Sequence, residues 1–262
     1  MTFPRVLATE FLKLRRCKVT WLSLAALSLG PLAIALFMWI VREPGRARQL
    51  GLLGTKADLS GISATWSSYF SMLTLIVGMG GLLLLAFIVA FVFAREYVEG
   101  TAKNLLALPV GRHWFVLAKL VVAGAWWALL VAAVIVETFL VGFAMALPGF
   151  SAATATGAVR DVIVVAAVVY MLAPVVAWIA TLARGYMAPL GFALAMLVLA
   201  QVFGKTGWGP WFPWSIVASF VGSVGQRVIT SIAPVSIVVV LLTFLAGIAA
   251  TIAQLRYADN AQ

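Results

Sequence analysis

Long apolar runs separated by short polar segments set the pattern of this chain. Six runs predict transmembrane helices, at 21–41, 66–93, 120–147, 162–183, 187–203 and 232–255, most of them beyond the roughly 18 residues that cross a bilayer core. A membrane β-barrel would instead show short segments of strict alternation, and none are evident. Ahead of the first run, Phe3, Leu7, Phe11 and Leu14 recur at helical spacing while Arg5, Glu10, Lys13 and Arg16 occupy other faces. That spacing predicts an interfacial helix over 3–18, ending in Arg15 and Arg16, which lies along the membrane surface. The blander alternative is a positive flank that merely orients the first span. The fold class is therefore an all-α polytopic membrane protein, a single transmembrane domain over 1–262.

Composition supports the pattern: 64% of the 262 residues are hydrophobic and 10% charged, against about 45–50% and about 25% in soluble domains. The net charge of +10 does not point to nucleic acid, because the basic residues are scattered in short segments between apolar runs. Alternate assignment of those segments puts eleven on the N-terminal side: Arg5, Lys13, Arg15, Arg16, Lys18, Arg95, Lys103, Arg112, Lys119, Arg184 and Arg256. Seven fall opposite: Arg42, Arg46, Arg48, Lys56, Arg160, Lys205 and Arg227. The excess predicts cytoplasmic termini in a multi-pass bacterial plasma-membrane protein, and the first apolar run reads as a retained signal anchor. With one cysteine, Cys17, and one histidine, His113, neither an intrachain disulfide nor a metal centre of several thiolates or imidazoles is available. Gly-x-Ser-x-Gly and His-Glu-x-x-His are absent, so no catalytic residues, cofactor-binding residues or metal ligands are assigned.

Two outer segments stand out. Residues 42–65 are polar and long enough for a small external excursion. In 204–231, Trp208, Trp211 and Trp214 lie among Gly207, Gly209, Pro210 and Pro213, ahead of an apolar stretch too short to span. Either a re-entrant pair of half-helices before the last span or simple aromatic anchoring fits. Within the runs, Ala86, Ala90 and Ala94 form a small-residue ladder that predicts close helix packing, and Pro174 and Pro234 are candidate kinks. Glu137 is the one acid deep in a span, costing on the order of 2.5–3.5 kcal/mol if placed unpaired at the bilayer centre. A substrate or proton role and a structural hydrogen bond both fit it. Arg160 and Asp161 read as a local charge pair.

The link between spans two and three, 95–112, carries the most information. Gly100 can end the incoming helix, Thr101 can cap a new one over 102–108, and Pro109 stops it. Leu105 and Leu108 share a face of that short rod, with Glu96, Glu99, Lys103 and Arg112 around it. An apolar tip with charged flanks suits docking into a groove of a soluble partner.

These residues resemble the type-2 ATP-binding-cassette permeases, particularly those of bacitracin and lantibiotic exporters. The likeness rests on Glu96-x-x-x-Gly100-Thr101-x-Lys103-x-Leu105-Leu106-x-x-Pro109-x-x-Arg112, followed by Ala118-Lys119, and on Glu10-Phe-Leu-Lys13-Leu-Arg15-Arg16 ahead of span one. What the resemblance implies is a permease dimer, either a homodimer, the favoured form, or a pairing with a second permease, bound to two ATPase subunits. In that reading Glu96, Glu99, Gly100, Thr101, Lys103, Asn104, Leu105, Leu106, Leu108, Pro109 and Arg112 form the ATPase-coupling segment, and Glu10, Lys13, Arg15 and Arg16 belong to the bracing surface helix. No Gly-x-x-x-x-Gly-Lys-Ser/Thr loop occurs, so ATP and Mg would sit on the partner. The cargo implied is an amphipathic peptide, antibiotic or lipid. Two rival readings are an ion-gradient-driven secondary transporter or channel served by Glu137, and a membrane enzyme acting on lipid, for which no paired catalytic groups are found.

Overall fold

The structure, a computed structural model, describes residues 3–52, 62–101, 111–221 and 233–257. All regular structure among them is helical. Helix α1 covers Phe3–Arg15, α2 Lys18–Arg42 and α3 Pro44–Gln49. Span two is built from α4, Trp66–Leu75, a π-helical turn at Ile76–Gly80, and α5, Gly81–Val98. Then come α6, Arg112–Ala144, α7, Ala152–Ala183, and α8, Met187–Phe203. A 3₁₀ turn at Gly209–Trp211, α9 at Pro213–Val221 and α10 at Pro234–Tyr257 complete the chain.

Among the described residues, five helices are long and apolar enough to cross a membrane: Lys18–Arg42, Trp66–Val98, Arg112–Ala144, Ala152–Ala183 and Pro234–Tyr257. Met187–Phe203, the fifth predicted span, is apolar but only 17 residues long. Leu29, Leu32 and Leu36 of α2 and Leu241, Leu242 and Leu245 of α10 point outward and are exposed, as helices whose solvent is lipid require. No buried side-chain nitrogen or oxygen among the described residues lacks a partner, as a lipid solvent demands.

Cross-helix contacts sort the helix ends into two groups. At the distal end, Arg42 donates to the Met145 carbonyl across 2.7 Å, and the Trp66 amide donates to Pro148 across 3.1 Å. At the basal end, Phe3 of α1 lies against Trp114 of α6, ring centroids 5.0 Å apart. Arg112 donates there to the last carbonyls of α10, Leu255 and Arg256. A cation held there also complements the negative end of the helix dipole. Helix α6 has 33 residues, about 50 Å, so it outreaches the roughly 30 Å hydrocarbon core and stands proud of it.

The alanine ladder behaves as the sequence predicts. Ala86, Ala90 and Ala94 are buried in α5, which packs on α7 and α8. A close backbone approach lies between α7 and α10, where a Cβ on Gly247 would meet the Val175 nitrogen at 2.8 Å and the Pro174 carbonyl carbon at 2.9 Å. Thr251, one turn on, donates to the Pro174 carbonyl across 3.3 Å.

Several expectations need correction. Pro234 does not kink the last span but opens it, the position where proline's missing N–H costs nothing. Span three begins at Arg112 rather than 120, and span four at Ala152 rather than 162. In the latter, Ser151 caps the helix by accepting from the Thr154 amide at 3.0 Å, and the polar Thr154 and Thr156 extend it outward. On α1 the packed face is Val6, Glu10 and Leu14, whereas Phe11 is 53% exposed. Glu10, assigned by spacing to a polar face, therefore points inward. Arg160 and Asp161 do pair, at 3.0 Å. Part of the outer segment 204–231 is described: α9 runs back along α8, α7, α10 and the π turn, burying Trp214, Ser215, Ile216 and Val217.

Candidate functional site

Three elements converge at the basal end: α1, the last turns of α5 and the first turns of α6. Each brings a charged side chain into the joint. Glu10, Glu96 and Lys119 are about 5–6% exposed, and Lys13 closes the group from its rim. Charges taken out of water in this way require partners with good geometry.

They have them. The Lys119 ammonium donates to Glu96 Oε1 at 2.7 Å, to Glu10 Oε2 at 3.1 Å and to the Val92 carbonyl at 2.7 Å, which uses all three of its protons. Lys13 reaches Glu10 Oε1 at 2.6 Å and Glu96 Oε1 at 3.3 Å. Two acids and two lysines make the cluster neutral. Burial alone would raise the Glu10 carboxyl, but Lys119 and Lys13 together overcome it and hold Glu10 below the ordinary carboxylate range. Burial likewise opposes charge on Lys13, and Glu10 and Glu96 outweigh it, raising the ammonium above its ordinary value.

The cluster stands at the mouth of the predicted coupling link. Immediately after Glu96, α5 ends at Val98 in a Schellman arrangement, with Gly100 in the left-handed region at φ +69°. The Gly100 amide donates to Tyr97 and the Thr101 amide to Glu96, at 3.2 and 2.8 Å, so glycine is chosen here for its backbone. Arg95 and Glu99 form an exposed i,i+4 pair at 2.8 Å. Arg112 anchors the far side of the link to the end of α10. Lys103, Asn104, Leu105, Leu106, Leu108 and Pro109, with the predicted rod 102–108, lie outside the described residues.

The predicted residues thus divide. Glu10, Lys13 and Glu96 meet in one cluster, while Glu99, Gly100, Thr101 and Arg112 frame the link on either side. Arg15 and Arg16 are exposed beyond the end of the packed face of α1. Lys119, which closes the motif at Ala118-Lys119, falls outside the site residues that the sequence assigns, although it sits at the threshold of a long apolar run. A lysine there signals a buried acid somewhere on another element. Glu137 lies far from the cluster, on α6, beside Ser28 of α2. Among the described residues no group of three or more His, Cys, Asp or Glu side chains is placed to hold a metal ion.

Comparison with known proteins gives this geometry a context. The chain is 28% identical over 166 residues to the bacitracin transport permease protein BCRB of Bacillus licheniformis, a match covering 63% of this chain and 80% of the relative. No solved structure matches. The sequence profile of the ABC-2 family transporter proteins matches residues 6–201, a stretch that includes most of α1, the charge cluster and the link. This multi-pass membrane chain belongs to the ABC-2 family of transporter proteins.

Proposed function

We propose that the chain is the permease subunit of an ATP-driven exporter, working as a homodimer with two copies of a separate ATPase. Residues 102–108 form the coupling helix that seats in the ATPase, and ATP and Mg are bound by that partner. Met187–Phe203 serves as a sixth span, both termini lie in the cytoplasm, and the cargo is an amphipathic peptide, antibiotic or lipid.

The observation that carries the reading is the Glu10–Lys119–Glu96 cluster. Force applied to the link passes first into the end of α5 and the start of α6. The start of α6 is fastened there to α1 through Lys119–Glu10 and to the end of α5 through Lys119–Glu96, ion pairs that would each leave a buried charge if broken. The base of two spans and the surface helix therefore move as one body, which is what converts a push on a short rod into a tilt of the spans. ATP binding draws the two ATPases together, and the permease pair shifts toward its outward-open state.

The test is transport by cells expressing the chain with its ATPase. Leu105→Asp should abolish export while the protein still inserts in the membrane. Unchanged export in that variant, or export by the purified chain alone without ATP, contradicts the proposal.

A further inference from the structure

Six acidic residues lie in the described part of the chain, and five of them are in ion pairs: Glu10, Glu43, Glu96, Glu99 and Asp161. Glu137 is the exception, with no Lys or Arg among the described residues within ion-pair distance. The Ser28 hydroxyl of α2 lies beside its carboxyl. The neighbouring Tyr69 is spent elsewhere, donating to the Pro31 carbonyl at 3.1 Å. One hydroxyl satisfies a fraction of what a carboxylate accepts.

Position sharpens the point. Ser28 is near the middle of α2, Lys18–Arg42, and Glu137 lies in the outer part of α6, Arg112–Ala144, so both fall within membrane-spanning helices. Near Ser28, α2 contains Pro31, and span two loosens into the π turn at Ile76–Gly80, whose Ile76 faces Gly30. Turns of that kind recur at functional sites. Glu137 and Ser28 are half-buried, and beside them Leu29 is 63% and Leu140 67% exposed. The carboxyl thus sits between α2 and α6 at the surface of the bundle, with exposed leucines of both helices beside it.

Building on the exporter reading, we propose that Glu137 and Ser28 form a membrane-facing binding site for the cationic group of an amphiphile that enters from the hydrocarbon layer. The exposed leucines take the ligand's hydrocarbon part. The cation supplies the counter-charge that the other buried acids obtain from lysines, in a medium that strengthens the attraction. A neutral or anionic amphiphile of equal size gains nothing from the carboxylate.

The probes are tetraphenylphosphonium and tetraphenylborate, of similar shape and opposite charge, offered to the purified full chain in lipid nanodiscs by equilibrium dialysis. The phosphonium should bind, and Glu137→Gln, which keeps shape and the Ser28 contact, should weaken it by about tenfold or more without changing borate binding. Equal binding of the phosphonium to both proteins, or equal loss of both probes, overturns the site. Wild-type chain provides a check that needs no variant. Modification of Glu137 by dicyclohexylcarbodiimide should slow severalfold with the phosphonium present and not with the borate, and no protection overturns the proposal. Because no ATPase enters these assays, their failure leaves the exporter reading standing, and loss of ATPase coupling leaves the site standing.

Discussion

Lys119 and Glu96 meet at 2.7 Å where span three begins and span two ends, and the same ammonium reaches 3.1 Å to Glu10 on the surface helix. One lysine therefore joins three elements that are far apart in sequence. Lys119→Met removes the cation and leaves two carboxylates facing each other in a dry joint. The expected cost is about 3–5 kcal/mol, read as a lower thermal unfolding midpoint in detergent. Adding Glu10→Gln and Glu96→Gln should recover most of the loss. A single variant as stable as wild type would show that the cluster does not hold the joint.

The cluster also sets a pH window. Glu10 is lowered from its ordinary 4.5, so its stabilisation is fully present above about pH 4.5 and is lost as pH falls through the lower folded value. Lys13 is raised from its ordinary 10.5, so its share is present below about pH 10.5 and is lost as pH rises through the higher folded value. Unfolding midpoints measured across pH should show a plateau between these limits, and Glu10→Gln should flatten the acid limb.

Gly247 and Gly191 make a matched pair. A side chain at 247 runs into the backbone of α7, which cannot yield as a flexible side chain would, whereas nothing lies within 4 Å of a Cβ at 191. Gly247→Leu should destabilise by about 1–3 kcal/mol or more, and Gly191→Ala should be neutral or slightly stabilising. Comparison of their unfolding midpoints checks both.

Gly100 holds a positive φ. Gly100→Ala should cost about 1 kcal/mol or slightly more from left-handed strain. Because it redirects the chain as it enters the link, it should reduce export more than it reduces the amount of folded protein, measured by transport normalised to membrane content.

Much of the fold was legible because lipid imposes long apolar runs and because Ala86, Ala90 and Ala94 mark a packing face by size alone. Gly100 was legible too, since few residues accept its backbone. The inward turn of Glu10 was not, because helical spacing ranks faces by apolarity and cannot see that Lys119, more than a hundred residues away, supplies its partner. Nor was the π turn at Ile76–Gly80, where an extra backbone residue leaves the hydropathy pattern unbroken. Pro234 was misplaced for a related reason: proline at a helix start and proline inside a helix differ only by where the helix begins.

The most direct measurement is cross-linking from a photoreactive residue placed at Leu105 in cells. The account predicts one dominant adduct, to an ATPase that carries a phosphate-binding loop, lost when Leu105 is tested alongside Leu108→Asp. Recovery of lipid alone, with no ATPase adduct at any expression level, would contradict it.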